Sequence, residues 1–204
     1  MKLYYSPGAC SLGIHVILEE IGHPYEIEKV DLRQPAAERK LTAVNPKSKV
    51  PTLVRDDGSV LTQWPALALW LGRRFPAAHL LPPGPEAEIR AVELIDYMAG
   101  TVHVLGFSRL FNQARFAPSD ADAPAVRAQG LAIVHAGFAL LAAPLADREW
   151  LLGSYSVADA ALFFLAFWGR ERFALDMPAP IVAHYDRMRA RPAVQAVLRA
   201  EALV

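Results

Sequence analysis

The strongest restriction on the fold comes from the first eleven residues, where a β-rich run leads through a Pro-Gly turn to a cysteine. The run is residues 2–5, the turn contains Pro7 and Gly8, and Cys10 precedes a helical pattern that begins at Ser11. Free backbone N–H groups and the positive end of a helix dipole favour a thiolate, so we expect the pKa of Cys10 to be lowered. The alternative is that Cys10 is a small buried apolar residue, as free cysteines often are.

A second motif lies further along the chain, where a loop enters a strand through an X-Pro bond. The segment reads Asn45-Pro46-Lys47-Ser48-Lys49-Val50-Pro51-Thr52-Leu53. Proline cannot donate to a sheet ladder and therefore belongs at the start of a strand. If the Val50–Pro51 bond is cis, the backbone of Val50 projects into a cleft and can pair with an extended peptide as an added strand. Together the two motifs predict a thiol beside a peptide-binding edge.

The remaining pattern predicts an α/β part followed by an all-α part. Strands are predicted at residues 2–5, 25–31, 52–55 and 60–62, with helices at 11–21, 36–43 and 65–75. The order is βαβαββα, and we place this domain at residues 1–76. Residues 77–85 are rich in proline and predict a linker. Residues 86–204 carry only helical patterns, so an all-helical bundle domain is expected there.

Composition excludes several classes of function. The chain has 204 residues with 21 basic and 21 acidic side chains, a formal net charge of +0, which argues against a nucleic-acid partner. We see no signal peptide and no uninterrupted apolar stretch long enough to span a membrane. With a single cysteine, no internal disulfide or paired redox motif can form, so we expect a cytoplasmic protein with one reduced thiol. The six histidines show no metal-ligand spacing, and we predict no metal.

Several polar residues are candidates for binding an anionic ligand. Gln63 and Trp64 open the third predicted helix, where backbone N–H groups can hold a carboxylate, although Pro65 removes one of these donors. Arg33 and Lys49 flank the predicted cleft and can each pair with a second carboxylate. The alternative for each of these two charges is an ordinary solvated surface position.

Five segments of the sequence resemble glutathione transferases, most closely the bacterial beta class. They are the opening Met1 to Leu12, Asn45-Pro46-Lys47 with Val50-Pro51, Asp56-Asp57-Gly58, Ser156-Val157-Ala158-Asp159-Ala160, and Arg191-Pro192-Ala193-Val194-Gln195. The resemblance runs from end to end. It implies a thioredoxin-like N-terminal βαβαββα domain, an all-helical C-terminal bundle, and a homodimer that binds glutathione as co-substrate along the edge of the N-terminal domain.

The resemblance also implies roles for individual residues. Cys10 looks like the residue that faces the glutathione sulfur, and Ser11 is a second candidate for hydrogen bonding to that sulfur. Val50 looks like the backbone partner of the cysteinyl unit of glutathione, with Pro51 cis. His103 corresponds to a position near the thiol, and Phe107, Phe111 and Trp168 are the candidates for binding a hydrophobic co-substrate.

The sequence departs from the family pattern at three places. Gln63 and Trp64 stand where the family usually has an acidic residue followed by Ser or Gly. Pro35 stands where a lysine is common, which leaves Arg33 or Lys49 for the glycine carboxylate of glutathione. The run from His103 to Phe107 carries one more residue than the common His-Lys-Gly-Phe. The leading hypothesis is a transferase that directs glutathione at a hydrophobic electrophile or a disulfide, and the alternative is a non-catalytic protein-interaction or stress-associated module of this fold.

Overall fold

The computed structural model of the chain describes residues 1–38 and 40–204. Its N-terminal part is a four-stranded sheet with helices. The elements in chain order are β1 Lys2–Tyr5, α1 Ser11–Ile21, β2 Glu26–Lys29, α2 Leu41–Val44, β3 Thr52–Val54, β4 Val60–Thr62 and α3 Trp64–Arg74. The strand order is β2-β1-β3-β4, with β1 parallel to β2 and antiparallel to β3. This mixed sheet is the thioredoxin-like arrangement that was predicted.

The prediction of one continuous helix over residues 36–43 is wrong. A 3₁₀ turn at Ala36–Glu38 and the single-turn α2 form there instead, and residue 39 lies outside the described residues. The hydroxyl of Thr42 donates to the carbonyl of Ala36. Such a side-chain bond to the backbone competes with regular helical bonding, which accounts for the irregular segment.

Helices make up the C-terminal part, as predicted. They are α4 Pro85–Asp96, α5 Ser108–Phe111, α6 Ala123–Ala142, α7 Val157–Phe167, α8 Ala179–Ala190 and α9 Pro192–Ala200. Every residue of α7 is buried, and its N-terminus is closed by a capping box in which Asp159 accepts from the backbone N–H of Ser156 at 2.9 Å. The division of the chain into residues 1–76, a linker at 77–85 and residues 86–204 stays a prediction.

Between α4 and α5 the helix widens into a π-helical stretch, Tyr97–Phe107, called here the π segment. The N–H of Ser108 reaches the carbonyl of His103, five residues back, which is the bonding pattern of a π-helix. This stretch contains the run from His103 to Phe107, in which the family resemblance implies one additional residue. A π turn holds one more residue than an α turn, so a stretch of this kind can accommodate an additional residue.

Close packing joins the two parts of the chain. Helix α1 lies against α7 so tightly that a Cβ atom on Gly13 would stand 2.6 Å from the carbonyl oxygen of Ala160. By length and mean hydropathy (1.6) alone, the helical stretch Asp120–Leu145 could also cross a membrane. Core helices of soluble proteins pass the same test, and α6 packs here against the π segment and α8.

Candidate functional site

The two sequence motifs meet at the thiol of Cys10. This residue caps the N-terminus of α1 and is 8% exposed. Its Sγ donates a hydrogen bond to the backbone carbonyl of Val50 at 3.4 Å, and the Val50–Pro51 bond is cis. The loop before β3 therefore places a backbone edge directly across from the thiol, as the two motifs predicted.

The expected lowering of the Cys10 pKa is wrong for this structure. Burial raises the pKa of the thiol to about 12, because a thiolate loses more hydration there than its surroundings return. The backbone N–H groups of Cys10 and Ser11 and the positive charge of Lys49 act in the opposite direction but are weaker. A helix dipole contributes only about 0.3–1 kcal/mol at an exposed site, which is too little to offset burial.

The hydroxyl of Ser11 is not directed at the sulfur. It donates to the carbonyl of Ser6 at 3.3 Å and accepts from the N–H of Ser6 at 3.2 Å. Ser11 is fully buried. Its side chain therefore holds the turn before α1, while its backbone N–H is the group that favours a thiolate at Cys10.

At the start of α3, Gln63 and Trp64 point in different directions. Gln63 is exposed and has a left-handed backbone with a φ of 75°. The side chain of Trp64 is 4% exposed, and its indole N–H donates to the carbonyl of Cys10 at 3.0 Å. The indole is thus occupied inside the protein, and only the backbone of Trp64 remains for a ligand.

Arg33 and Lys49 differ in how far their charges are already paired. The Arg33 side chain is 92% exposed and forms two hydrogen bonds of 3.0 Å with the carboxylate of Asp31, which holds the pKa of Asp31 down at about 2. Lys49 is exposed, and its ammonium has no acidic partner within the part of the chain that the structure describes. Its charge acts on both Cys10 and His103, so Lys49 is the nearer cation to the thiol.

His103, on the π segment, belongs to an aromatic cluster next to residues 6–10, the loop between β1 and α1 that carries Cys10 and is called here the thiol loop. Its ring lies edge-on to Trp168 with 4.9 Å between centroids and to Phe164 with 5.8 Å. Burial, assisted by the charge of Lys49, lowers the pKa of His103 to about 4, so the imidazole is neutral at neutral pH.

Only one of the three predicted co-substrate residues faces solvent. Phe111 is 50% exposed and its ring lies 5.1 Å from that of Trp168. Phe107 is fully buried against Phe138, so it forms core instead of a binding surface. Trp168 is 4% exposed, and its indole N–H donates to the carbonyl of Gly8 at 2.7 Å. The structure therefore makes Trp168 a support of the thiol loop.

Glu201, which the sequence analysis missed, also holds this loop. One carboxylate oxygen accepts from the N–H of Gly8 at 2.8 Å, and the other lies 2.8 Å from Nδ1 of His15. Glu201 is 2% exposed and is 193 residues away from Gly8. No local pattern marks such a contact. Within residues 1–38 and 40–204, no group of three His, Cys, Asp or Glu side chains is arranged to hold a metal ion.

Fold and site together define a class: a thioredoxin-like thiol enzyme with an appended helical part. Residues 8–74 match the family model described as "Glutathione S-transferase, N-terminal domain". The chain is 36% identical over 208 residues to the glutathione S-transferase GstA of Escherichia coli O157:H7, with 100% of both proteins covered.

Solved structures give the same result. A bacterial beta-class glutathione S-transferase of Sphingomonas chungbukensis is 33% identical with a TM-score of 0.87, and a sphingomonad glutathione S-transferase complexed with glutathione is 34% identical with a TM-score of 0.85. Both comparisons cover 100% of each chain. The chain belongs to the glutathione transferase family, and no finding favours the non-catalytic alternative.

Proposed function

We propose that this enzyme binds glutathione between the Val50–Pro51 loop and the start of α3 and transfers it to a hydrophobic electrophile. In the reaction, the glutathione thiolate attacks the electrophilic atom, a C–S bond forms, the leaving group departs with its bonding electrons, and the thiol proton passes to solvent. The observation that carries the proposal is the carbonyl of Val50 lying 3.4 Å from Cys10 Sγ. A cysteinyl unit paired with the backbone of Val50 brings its own sulfur next to Cys10.

The ends of glutathione have separate candidate partners. Lys49 is the better placed cation for the glycine carboxylate, because the charge of Arg33 is already paired with Asp31. The γ-glutamyl end would meet the backbone N–H groups at the first turn of α3 and the exposed side chain of Gln63. Binding at both ends supplies the proximity that an otherwise bimolecular reaction lacks.

In this proposal Cys10 has two possible roles: its thiol proton forms a hydrogen bond, or its sulfur forms a disulfide. With a pKa of about 12 it is a neutral thiol at neutral pH, which can donate a hydrogen bond to a bound thiolate. It can also exchange with oxidised glutathione: the Cys10 sulfur attacks one sulfur of the disulfide, a mixed disulfide forms, and one glutathione leaves as thiol. His103, neutral and next to the thiol loop, lines the same region.

The co-substrate would lie against the half-exposed Phe111, beside His103. The ring of Phe111 is supported by Trp168 at 5.1 Å and by Phe173 at 4.7 Å. An exposed aromatic face held by the buried ring of Trp168 and the partly buried ring of Phe173 suits a flat apolar electrophile.

A second copy of this chain is the proposed partner. Along α4 and the π segment, Ile89 is 58% exposed and Val104 is 48% exposed, and open space lies above Gly100. An apolar face on a helix is normally covered in the functional state. We therefore propose a homodimer, and sedimentation should give twice the mass of one chain at micromolar concentration. We also propose that the enzyme works in the cytoplasm.

The decisive experiment is calorimetry with reduced glutathione, paired with mass spectrometry after incubation with oxidised glutathione. We expect a dissociation constant in the millimolar range or tighter, and one added glutathione per chain. The Cys10→Ser variant should bind glutathione and gain no mass. A chain that shows no heat of binding at ten millimolar glutathione contradicts the proposal.

A further inference from the structure

The indole of Trp64 holds the peptide group that follows Cys10. Its N–H donates to the carbonyl of Cys10 at 3.0 Å. The ring lies 5.7 Å from that of Phe164 and closes over Gly13, where a Cβ atom would stand 2.9 Å from the indole. The indole is therefore fixed on both sides, and its hydrogen bond has one available direction.

The same peptide group faces the sulfur with its other end. A peptide unit is planar and trans, so the carbonyl of Cys10 and the N–H of Ser11 point in opposite directions. The carbonyl points to Trp64, and the N–H of Ser11 is one of the two backbone donors that stabilise a thiolate at Cys10. A bond to one end of a peptide group polarises it and strengthens the donor at the other end.

Trp168 offers a built-in comparison. Its indole is equally buried and donates to the carbonyl of Gly8 at 2.7 Å. The N–H of that peptide group belongs to Ala9 and donates to the carbonyl of Ser6 at 2.9 Å, away from the sulfur. Two indoles thus hold the same loop, but only Trp64 holds a peptide group that faces the thiol.

We infer that Trp64 is a positioning residue that orients the Cys10–Ser11 peptide group toward the sulfur and so sets the reactivity of Cys10. The inference rests on the proposed function only in one respect, namely that the enzyme uses the thiol of Cys10 on glutathione. The charged group that acts on Cys10 is Lys49, from the loop before β3, and the same charge acts on His103, on the π segment. The hydrogen bond from Trp64 adds an uncharged stabilisation of the Cys10 thiolate to the charged stabilisation that comes from Lys49.

The test is the rate of alkylation of Cys10 by iodoacetamide as a function of pH, which is specific because the chain has one cysteine. Trp64→Phe keeps an aromatic ring against Phe164 and removes the N–H. We expect alkylation at a fixed pH below the midpoint to slow by about three- to tenfold, because the rate follows the thiolate fraction. Trp168→Phe should slow it by less than about twofold.

A second form of the test avoids any change in packing. Replacing Trp64 by 3-benzothienylalanine exchanges the indole N–H for sulfur in a ring of the same shape, and the same slowing is expected. All variants should react alike when unfolded in urea. Alkylation that is unchanged or faster in the benzothienyl variant overturns the inference. Loosened packing alone would expose the thiol and speed alkylation, so only slower alkylation reports the loss of the N–H. The assay contains no glutathione, so its failure leaves the proposed function standing, and failure of glutathione binding leaves this inference standing.

Discussion

Gln63 precedes α3 with an exposed amide and a left-handed backbone that few residues other than glycine adopt. In the proposed complex its carbonyl oxygen accepts from the ammonium group of the γ-glutamyl unit. A hydrogen bond between two charged groups is stronger than one with a neutral acceptor by about 1 kcal/mol.

The first prediction is that Gln63→Glu tightens glutathione binding by about three- to tenfold, measured by calorimetry. Gln63→Ala is the matched control and should weaken it. Trp64 is left unchanged, because its indole is bonded to the carbonyl of Cys10. A Glu variant that binds no better than the parent would show that the side chain at position 63 does not meet the ligand ammonium.

The second prediction concerns His103, whose pKa is lowered to about 4 by burial and by Lys49. Between about pH 6.5 and 4 the unfolded chain binds a proton at this residue and the folded chain does not, so acidification through this range favours unfolding. We expect His103→Gln to lose less stability than the parent between pH 7 and 4.5, by on the order of 2 kcal/mol.

Urea unfolding at the two pH values measures this difference. His15 and His184 are buried beside carboxylates in both proteins, and their contributions cancel in the comparison. Equal losses in parent and variant would mean that His103 takes up its proton without unfolding.

At the scale of elements, two π-helical stretches meet beside the thiol loop. One is the π segment, and the other is Trp168–Arg172, where the N–H of Phe173 bonds to the carbonyl of Trp168 at 3.1 Å. Two ring pairs join them, His103 with Trp168 at 4.9 Å and Phe107 with Trp168 at 5.3 Å between centroids. Such stretches re-aim side chains locally without disturbing the helix packing on either side, and they are frequent at functional sites.

The third prediction is that deleting Val104 restores a continuous α-helix and changes the free energy of unfolding by less than about 1 kcal/mol. The deletion removes the additional residue, so Met98 and Gly106 can keep their buried places. Deleting the exposed Glu93 from α4 is the control, and it should cost more than about 3 kcal/mol because it rotates Ile95 out of the core. Equal losses in the two deletions, read by urea titration, would refute this account of the π segment.

At the scale of the whole molecule, Glu201 ties the end of the chain to its beginning. Its carboxylate accepts from the N–H of Gly8 and is hydrogen bonded to His15, and both side chains of this pair are buried. Removal of one member of a buried, bonded pair leaves its partners without compensation.

The fourth prediction is therefore that Glu201→Ala lowers the free energy of unfolding by about 3–5 kcal/mol and accelerates alkylation of Cys10 through loosening of the turn at Gly8. Glu149, which is exposed, provides the control Glu149→Ala, with an expected change within about 0.5 kcal/mol. Unfolding curves from fluorescence and circular dichroism measure both. A small loss for Glu201→Ala would show that the two ends are held together by apolar packing alone.

Much of the fold was predictable because its signals are local. The turn at Pro7 and Gly8, the X-Pro bond at Val50, and the Ser156–Asp159 capping box each lie within a few residues, and each appears in the structure as expected. The pairing of the first two motifs across the thiol was predicted from the two motifs together and was confirmed by the bond from Cys10 to Val50.

The sequence itself determined the order of strands and helices, the capping of α7 and the position of the thiol at a helix start. These features follow from hydrophobic periodicity, turn chemistry and caps, which act over neighbouring residues. Only the tertiary structure decided how these parts behave. It buried Phe107, turned the indole of Trp64 inward and raised the pKa of Cys10 to about 12. Long-range contacts of this structure join Cys10 to Trp64, 54 residues away, Gly8 to Trp168, 160 residues away, and Gly8 to Glu201, 193 residues away. Burial and electrostatics depend on such distant neighbours, which no local pattern contains.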